Sequence, residues 1–258
     1  MSYITPTEQA LLISPFSQSL QPMAQVLVIT PVKNAIETTL HTARAVAAST
    51  VKVQHVIFND FSTEETKASL EKHRAELGYE LIHIEDLTDH PSPNYKLVLQ
   101  LAQQQALEAG IPLLVVESDV VVTSNTIEIL LEQLTADPAA GLIGSVTVDE
   151  KGEVNFPYLK FKGVKEPVIA TQRSLSFCCT LFSPAFLQAY DFKGLDEAKD
   201  WYDTFISQKS LALGFKNTVL MHAAVWHRPH ASRPWKQLKY SNPLKYYFLK
   251  FWKGLDKI

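Results

Sequence analysis

Glu117 and Asp119 interrupt a stretch that is otherwise apolar, Ile111-Pro-Leu-Leu-Val-Val-Glu-Ser-Asp-Val-Val-Val122. Two carboxylates one residue apart point the same way on an extended chain and can converge on one hard cation. Leu113 to Val116 form a short apolar run rich in β-branched residues, after the turn signals Gly110 and Pro112, which predicts a strand buried on both faces. In an open α/β sheet, ligands bind in the crevice outside the carboxyl ends of the strands, so acids there are placed to meet one. Taken alone, Glu-x-Asp also reads as an ordinary polar strand exit.

Glycine usage gives the acids a task. The chain has nine glycines and none before Gly78. The G-x-G-x-x-G turn and the G-x-x-x-x-G-K-[ST] loop both use glycine to bring backbone amides against phosphate, and neither is present. A bound nucleoside diphosphate would have to be neutralised by a metal ion or by basic side chains.

The elements that must position these residues follow from apolar periodicity. Residues 1–24, with Pro6, Pro15 and Pro22, read as an N-terminal leader. A strand over Gln25–Asn34, broken at Pro31, leads into a helix over about Ala35–Ala48. Then come a strand Val53–Phe58, a helix Glu64–Leu77 capped by Ser62 or Thr63 and closed by Gly78, and a strand Tyr79–Ile84. After a loop, a helix Tyr95–Ala109 leads to the acid-tipped strand. This alternation predicts parallel strands with crossover helices, the first half of a Rossmann-like sheet. Beyond it, Thr123 to Asn125 cap a helix to Leu134, and Gly141–Val148 and Val154–Phe161 flank Asp149–Glu153 as an antiparallel hairpin. A strand-like run Arg173–Ser183, a short helix Pro184–Tyr190, a helix Asp200–Leu213 ended by Gly214 and a final strand Phe215–Trp226 complete the domain.

Composition bounds the function. At 258 residues, 46% hydrophobic and 20% charged, the chain is globular and neither disordered nor fibrous. A net charge of −3 gives no case for nucleic-acid binding, and no apolar run approaches the ~20 residues of a membrane span. Residues 1–24 lack the basic and apolar regions of a signal peptide, and the adjacent Cys178 and Cys179 are poorly placed to cross-link, so a soluble protein in a reducing, cytoplasmic setting is expected. Charge is uneven along the chain. The tail 229–258 carries seven basic residues against Asp256, a net +6, leaving −9 on the remainder. Within the tail, Leu244, Tyr247, Phe248, Phe251, Trp252 and Leu255 recur at helical spacing, with lysines largely on other faces. That amphipathic face either packs on the domain or attaches through 244–258 to an anionic membrane surface, at the inner membrane face.

From about Val26 to His227 the order of motifs resembles glycosyltransferase family 2. The family's first strand end, Ile-Pro-x-x-Asn, corresponds to Ile29-Thr-Pro-Val-Lys-Asn34 with one residue inserted. Its Asp-Asp-x-Ser turn corresponds to Asn59-Asp60-Phe61-Ser62, and its Asp-x-Asp to Glu117-Ser118-Asp119, preceded by Gly110. Gly194-Leu-Asp-Glu197 is similar to its acceptor-side element, and Tyr202-Asp203, Gly214 and His227 keep the spacing of its Glu-Asp pair, late glycine and late histidine.

This resemblance implies a GT-A fold: an α/β, Rossmann-like mixed, mostly parallel central sheet with flanking helices and a small antiparallel addition in the second half. It divides the chain into the leader 1–24, a domain 25–228 with a nucleotide-binding half 25–122 and an acceptor half 123–228, and the tail 229–258. The implied activity is metal-dependent, inverting transfer of a sugar from a nucleotide-sugar donor, leaning to UDP-sugar, to a glycan or lipid-linked acceptor. Asp119, Glu117 and His227 are the implied metal ligands, for Mn²⁺ or Mg²⁺, with the imidazole suiting Mn²⁺ better. Asp203 is the implied catalytic base, with Asp200 in reserve. Thr30, Pro31, Asp60, Lys96, Glu117 and Ser118 are the implied donor contacts, Asp60 accepting from a pyrimidine ring N–H and Lys96 meeting phosphate. Glu117, Tyr202 and Asn59 depart from the family's acids, which keeps a non-catalytic nucleotide- or glycan-binding relative as the alternative. A sugar-phosphate nucleotidylyltransferase would need a glycine-rich basic loop near the N-terminus, which is absent.

Overall fold

The structure, a computed structural model, describes residues 24–196, 201–228 and 242–252. The leader up to residue 23, Glu197, Asp200 and most of the tail, including Leu255, lie outside the described residues. The chain divides into two compact units, Met1–Arg228 and Pro229–Ile258.

In the first unit β1 (Val26–Val32), α1 (Ile36–Ala47), β2 (Val53–Asn59), α2 (Glu64–Leu77), β3 (Glu80–His83), α3 (Tyr95–Ala109) and β4 (Leu113–Val116) follow the expected alternation. Local chemistry sets their ends. Thr63 Oγ1 accepts from the Thr66 N–H at the start of α2, and Gly78 and Gly110, both left-handed, close α2 and α3. Next come β5 (Val120–Val121), α4 (Thr126–Ala136), β6 (Ala140–Val148), β7 (Val168–Thr171), β8 (Cys179–Phe182), α5 (Pro184–Ala189), α6 (Tyr202–Ala212) and β9 (Lys216–His227).

These strands form one sheet in the order β3-β2-β1-β4-β8-β6-β9-β5, with β7 on β9. β3, β2, β1 and β4 are mutually parallel, and β8 joins β4 antiparallel. Successive residues of β1 and β4 alternate between two cores: Leu27, Ile29, Leu113 and Val115 enter one, and Val26, Val28, Leu114 and Val116 the other. Both faces are covered, which is why these strands read as continuous apolar runs. Because β2 and β4 flank β1 on opposite sides, the order reverses beside β1, and the crevice at that switch lies off the carboxyl ends of β1 and β4.

Two expectations are corrected. β1 continues through Pro31, which pairs with Phe58; the β4 ladder has already ended at Ile29 and Val115, so the missing N–H breaks nothing there. The hairpin after β6 does not form. Asp149 Oδ1 takes the N–H groups of Lys151 and Glu153 and makes the turn, but only an isolated bridge, Val148 to Val154, follows. Pro157 has no N–H to extend a ladder, and a 3₁₀ turn occupies Leu159–Phe161. The partners of β6 are instead β8 and the distant β9.

Two glycines let neighbouring side chains pack closely on β6. A Cβ on Gly144 would stand 2.8 Å from Tyr158 Oη, and one on Gly141 2.7 Å from Phe215 Cβ. Gly141→Ala is therefore expected to destabilise the fold by about 1–3 kcal/mol through overpacking. A urea-denaturation midpoint equal to that of the wild type would contradict this.

The second unit contains α7 (Pro243–Trp252), whose Asn242 Oδ1 accepts from the Lys245 N–H as an N-cap. Leu244, Tyr247 and Phe248 are exposed. Among the described residues, no helix is long and apolar enough to cross a membrane.

Candidate active site

β4 stops at Val116, and the chain does not stay extended beyond it. The Val120 N–H donates to the Glu117 carbonyl at 3.1 Å, closing a turn over Ser118 and Asp119. The two acids therefore sit on a turn, not on the straight strand end that their spacing suggested. On one side, Glu117 N–H bonds to the Cys178 carbonyl at 3.0 Å, extending the β4–β8 ladder by one residue. On the other, β5 pairs with the end of β9, Val120 opposite His227, and the Arg228 N–H reaches the Asp119 carbonyl at 2.9 Å.

That register delivers His227 to the acids. Its Nε2 lies 3.6 Å from Asp119 Oδ2, and both side chains are buried. Its Nδ1 stands 2.7 Å from the Phe156 carbonyl, so Nδ1–H donates there and the Nε2 lone pair faces the acids, the tautomer a metal ligand needs. Asn155 Nδ2 donates to the His227 carbonyl at 3.1 Å. The segment that failed to become a strand thus clamps this histidine. Burial by itself would lower the proton affinity of His227, but Asp119 and then Glu117 outweigh it and the pKa is raised. Glu117 is raised as well, first by burial and then by Asp119. One carboxylate oxygen of Glu117, one ring nitrogen of His227 and Cys178 Sγ lie within 4.8 Å of one another.

Asp203 stands in the first turn of α6, where its Oδ1 accepts from the Thr204 N–H at 2.8 Å. Its charge reaches the same centre. The Tyr95 hydroxyl is held well above its ordinary range by burial first, then by Glu117, Asp203 and Cys178. Tyr95 Oη is buried and has no hydrogen-bond partner among the described residues. Sequence reasoning missed Tyr95 and Cys178. A tyrosine at a helix start and a cysteine inside an apolar run carry no signal until the acids are placed around them.

The expected donor contacts divide. Pro31 and Lys96 are partly exposed, at the end of β1 and in the first turn of α3, and Ser118 is buried between the two acids. The carboxylate of Asp60 receives Ser92 Oγ at 2.6 Å, the Asn94 N–H at 2.9 Å and Asn94 Nδ2 at 2.8 Å. It anchors the loop before α3, with about one of its four acceptor positions left for a ligand. Thr30 stands deeper. It is fully buried, and its hydroxyl sits 2.9 Å from His55 Nε2 on the neighbouring strand. Beside the crevice, Ala35 and Phe61 hold φ of 54° and 53°, left-handed values that cost a non-glycine residue about 1–3 kcal/mol and mark loops locked by their surroundings. Asn34 does the locking, accepting the Thr63 N–H with Oδ1 and donating its own N–H to Ser62 Oγ.

The Thr30–His55 pair carries a pH prediction. Burial depresses His55 to about 3, and its Nδ1 is buried without a partner. The unfolded chain takes up the proton near 6.5 and the folded chain does not, so stability is full above that pH. It is lost on acidification, at up to about 1.4 kcal/mol per pH unit until roughly pH 3. His55→Gln is expected to flatten this slope in denaturation midpoints taken from pH 7 to 4; an unchanged slope would assign it to other groups.

The family model for glycosyl transferase family 2 matches residues 27–192, more than half of the chain. Residues 1–349 of S. aureus TarS superpose with a TM-score of 0.59 at 18% identity, covering 79% of this chain and 60% of that one. The mannosyltransferase PcManGT from Pyrobaculum calidifontis, solved with GDP-Man and Mn²⁺, gives 0.60 at 15% identity, covering 96% and 70%. The TarS fragment with UDP-GlcNAc gives 0.54 at 16% identity, covering 81% and 60%. The chain thus spans about three fifths of the TarS fragment, and at these identities the likeness is one of fold. No curated protein matches the sequence.

Proposed function

The chain belongs to glycosyl transferase family 2, and on that premise we propose that it is a metal-dependent, inverting glycosyltransferase of GT-A fold using a UDP-sugar. The acceptor under this proposal is a glycan or a lipid-linked glycan. The observation that carries it is the convergence of Glu117, Asp119 and His227 at the switch-point crevice, with the charge of Asp203 reaching the same centre. Two carboxylates and an imidazole with its Nε2 lone pair available fit a divalent cation, Mn²⁺ better than Mg²⁺. Such an ion would neutralise the leaving diphosphate, a task that no glycine loop here can perform.

The chain's own residues perform the rest. Asp203 takes the proton of the acceptor hydroxyl as that oxygen attacks the anomeric carbon. The bond from that carbon to the diphosphate oxygen breaks on the opposite face, UDP leaves with the electron pair, and the configuration inverts. Pro31, Asp60, Lys96 and Ser118 flank the donor, and Tyr95 supplies a buried hydroxyl that feels the charges of Glu117 and Asp203. The test is a panel of nucleotide sugars assayed with Mn²⁺ for nucleotide release and for thermal stabilisation. A UDP-sugar is expected to raise the melting temperature and to be turned over. No shift with any nucleoside diphosphate would remove the donor site.

Tyr202 favours a second reading. It stands where the family carries an acid, and it is buried in the core with its ring 6.2 Å from that of Tyr95. A non-catalytic relative would bind the donor in the same panel and release no nucleotide. For the basic tail we propose contact with an anionic membrane face, supported by its +6 charge and aromatic stripe. Truncation after Ser232 is expected to reduce sedimentation with anionic vesicles; equal sedimentation would favour packing of that stripe on protein.

A further inference from the structure

Cys178 precedes β8 and is held beside the acids by the ladder that joins its carbonyl to Glu117 N–H. It is 3% exposed, and its Sγ–H lies 3.4 Å from Glu117 Oε2, with Ser176 Oγ at 3.3 Å on the other side. Its sulfur, a Glu117 oxygen and a His227 nitrogen lie within 4.8 Å of one another. An ion bonding sulfur at about 2.3 Å and nitrogen or oxygen at about 2.0–2.2 Å in tetrahedral geometry separates its ligands by about 3.5 Å. From the 4.8 Å limit the three groups therefore need to close by at most about 1.3 Å, a movement that side-chain torsions supply. Glu117 is only partly buried, which leaves an approach for the ion.

We propose that Cys178 is a ligand of the site's cation together with Glu117 and His227, and that this sulfur makes the site select a thiophilic divalent ion, Zn²⁺ above all, over Mg²⁺. The inference rests on the metal-dependent reading given above. A site built from oxygen and one imidazole discriminates weakly against abundant hard cations, whereas a thiolate adds a soft donor that zinc and cobalt bind strongly and magnesium does not. As the sulfur–metal bond forms, the thiol proton is released to solvent, since Glu117 must itself be ionised to ligate. Cys179 makes a contrast. It is fully buried and is not one of the three converging groups, and it serves as a control.

The experiment is a Co²⁺ titration of the full chain followed by absorption. Wild type and Cys179→Ser are expected to show a near-ultraviolet thiolate-to-cobalt charge-transfer band, and Cys178→Ser to lose it while keeping the visible cobalt bands. Competition with a chromophoric chelator is expected to show Zn²⁺ affinity falling by at least about tenfold in Cys178→Ser and Cys178→Ala, with Mn²⁺ affinity changed far less. Cobalt bound by wild type without the near-ultraviolet band, or Zn²⁺ affinity unchanged in both variants, overturns the proposal but leaves the metal-dependent reading standing. No saturable binding of Co²⁺, Zn²⁺ or Mn²⁺ by wild type overturns both.

Discussion

Asp203→Asn is expected to retain donor binding and to lose about 10²–10⁴-fold in transfer, the usual contribution of a positioned general base. In barrier terms this is about 3–5 kcal/mol. The substitution is conservative for the fold. Asn keeps the size of the side chain and an oxygen that accepts the Thr204 N–H, the 2.8 Å bond that seats Asp203 in the first turn of α6. What it removes is the charge that Tyr95 and Glu117 both sense. The checks are kcat at saturating donor and acceptor, alongside Kd for UDP by calorimetry. Turnover equal to that of the wild type would move the base elsewhere, whereas loss of UDP binding would mean that Asp203 serves the donor.

The second large effect concerns Asp119. In the wild type, Mn²⁺ with UDP at about a hundredfold over Kd is expected to stabilise by about 2.7 kcal/mol. For a domain of this size that raises the melting temperature by roughly 5–10 °C. Asp119→Asn is expected to abolish the Mn²⁺-dependent part, because a charged oxygen ligand is lost from a buried site. The metal-free protein is expected to change little, because the attraction lost to His227 and the repulsion relieved at Glu117 oppose each other. Asp119 and Glu117 repel across the turn, and that repulsion is the second cause, after burial, that raises the Glu117 pKa. A carboxyl with a raised folded pKa weakens the fold as pH climbs through and above its unfolded value, so relieving the raise is stabilising near neutrality. A variant that keeps the full metal-dependent shift would remove Asp119 from the ligand set. One that loses stability without metal would instead give Asp119 a structural role.

The first half of the molecule was legible because its cues are local. Strands buried on both faces must be apolar throughout, and Thr63, Gly78 and Gly110 act within a turn of the helix ends they set. The place of Glu117 and Asp119 at the carboxyl end of a strand followed from the alternation of strands and helices, whereas the strand order made that end a switch point. The second half was less legible. β7, four residues and largely exposed, has no strong apolar signature, and β6 takes its partners from residues that lie about 40 and 75 positions further on.

The sequence by itself determined the fold class and the paired acids at a strand end, and its likeness to the family singled out Asp203 and His227. Tertiary structure alone decided how they meet. The turn that aims the acids depends on where β4 stops. His227 reaches Asp119 only through the β5–β9 register and the carbonyl of Phe156, and the Thr30 hydroxyl is engaged by a histidine on the neighbouring strand. Cys178 became a candidate ligand through the β4–β8 ladder. The physical reason is common to all four: side-chain type and spacing are properties of the chain, whereas convergence depends on hydrogen bonds between segments distant in sequence, each of which is a choice among many registers.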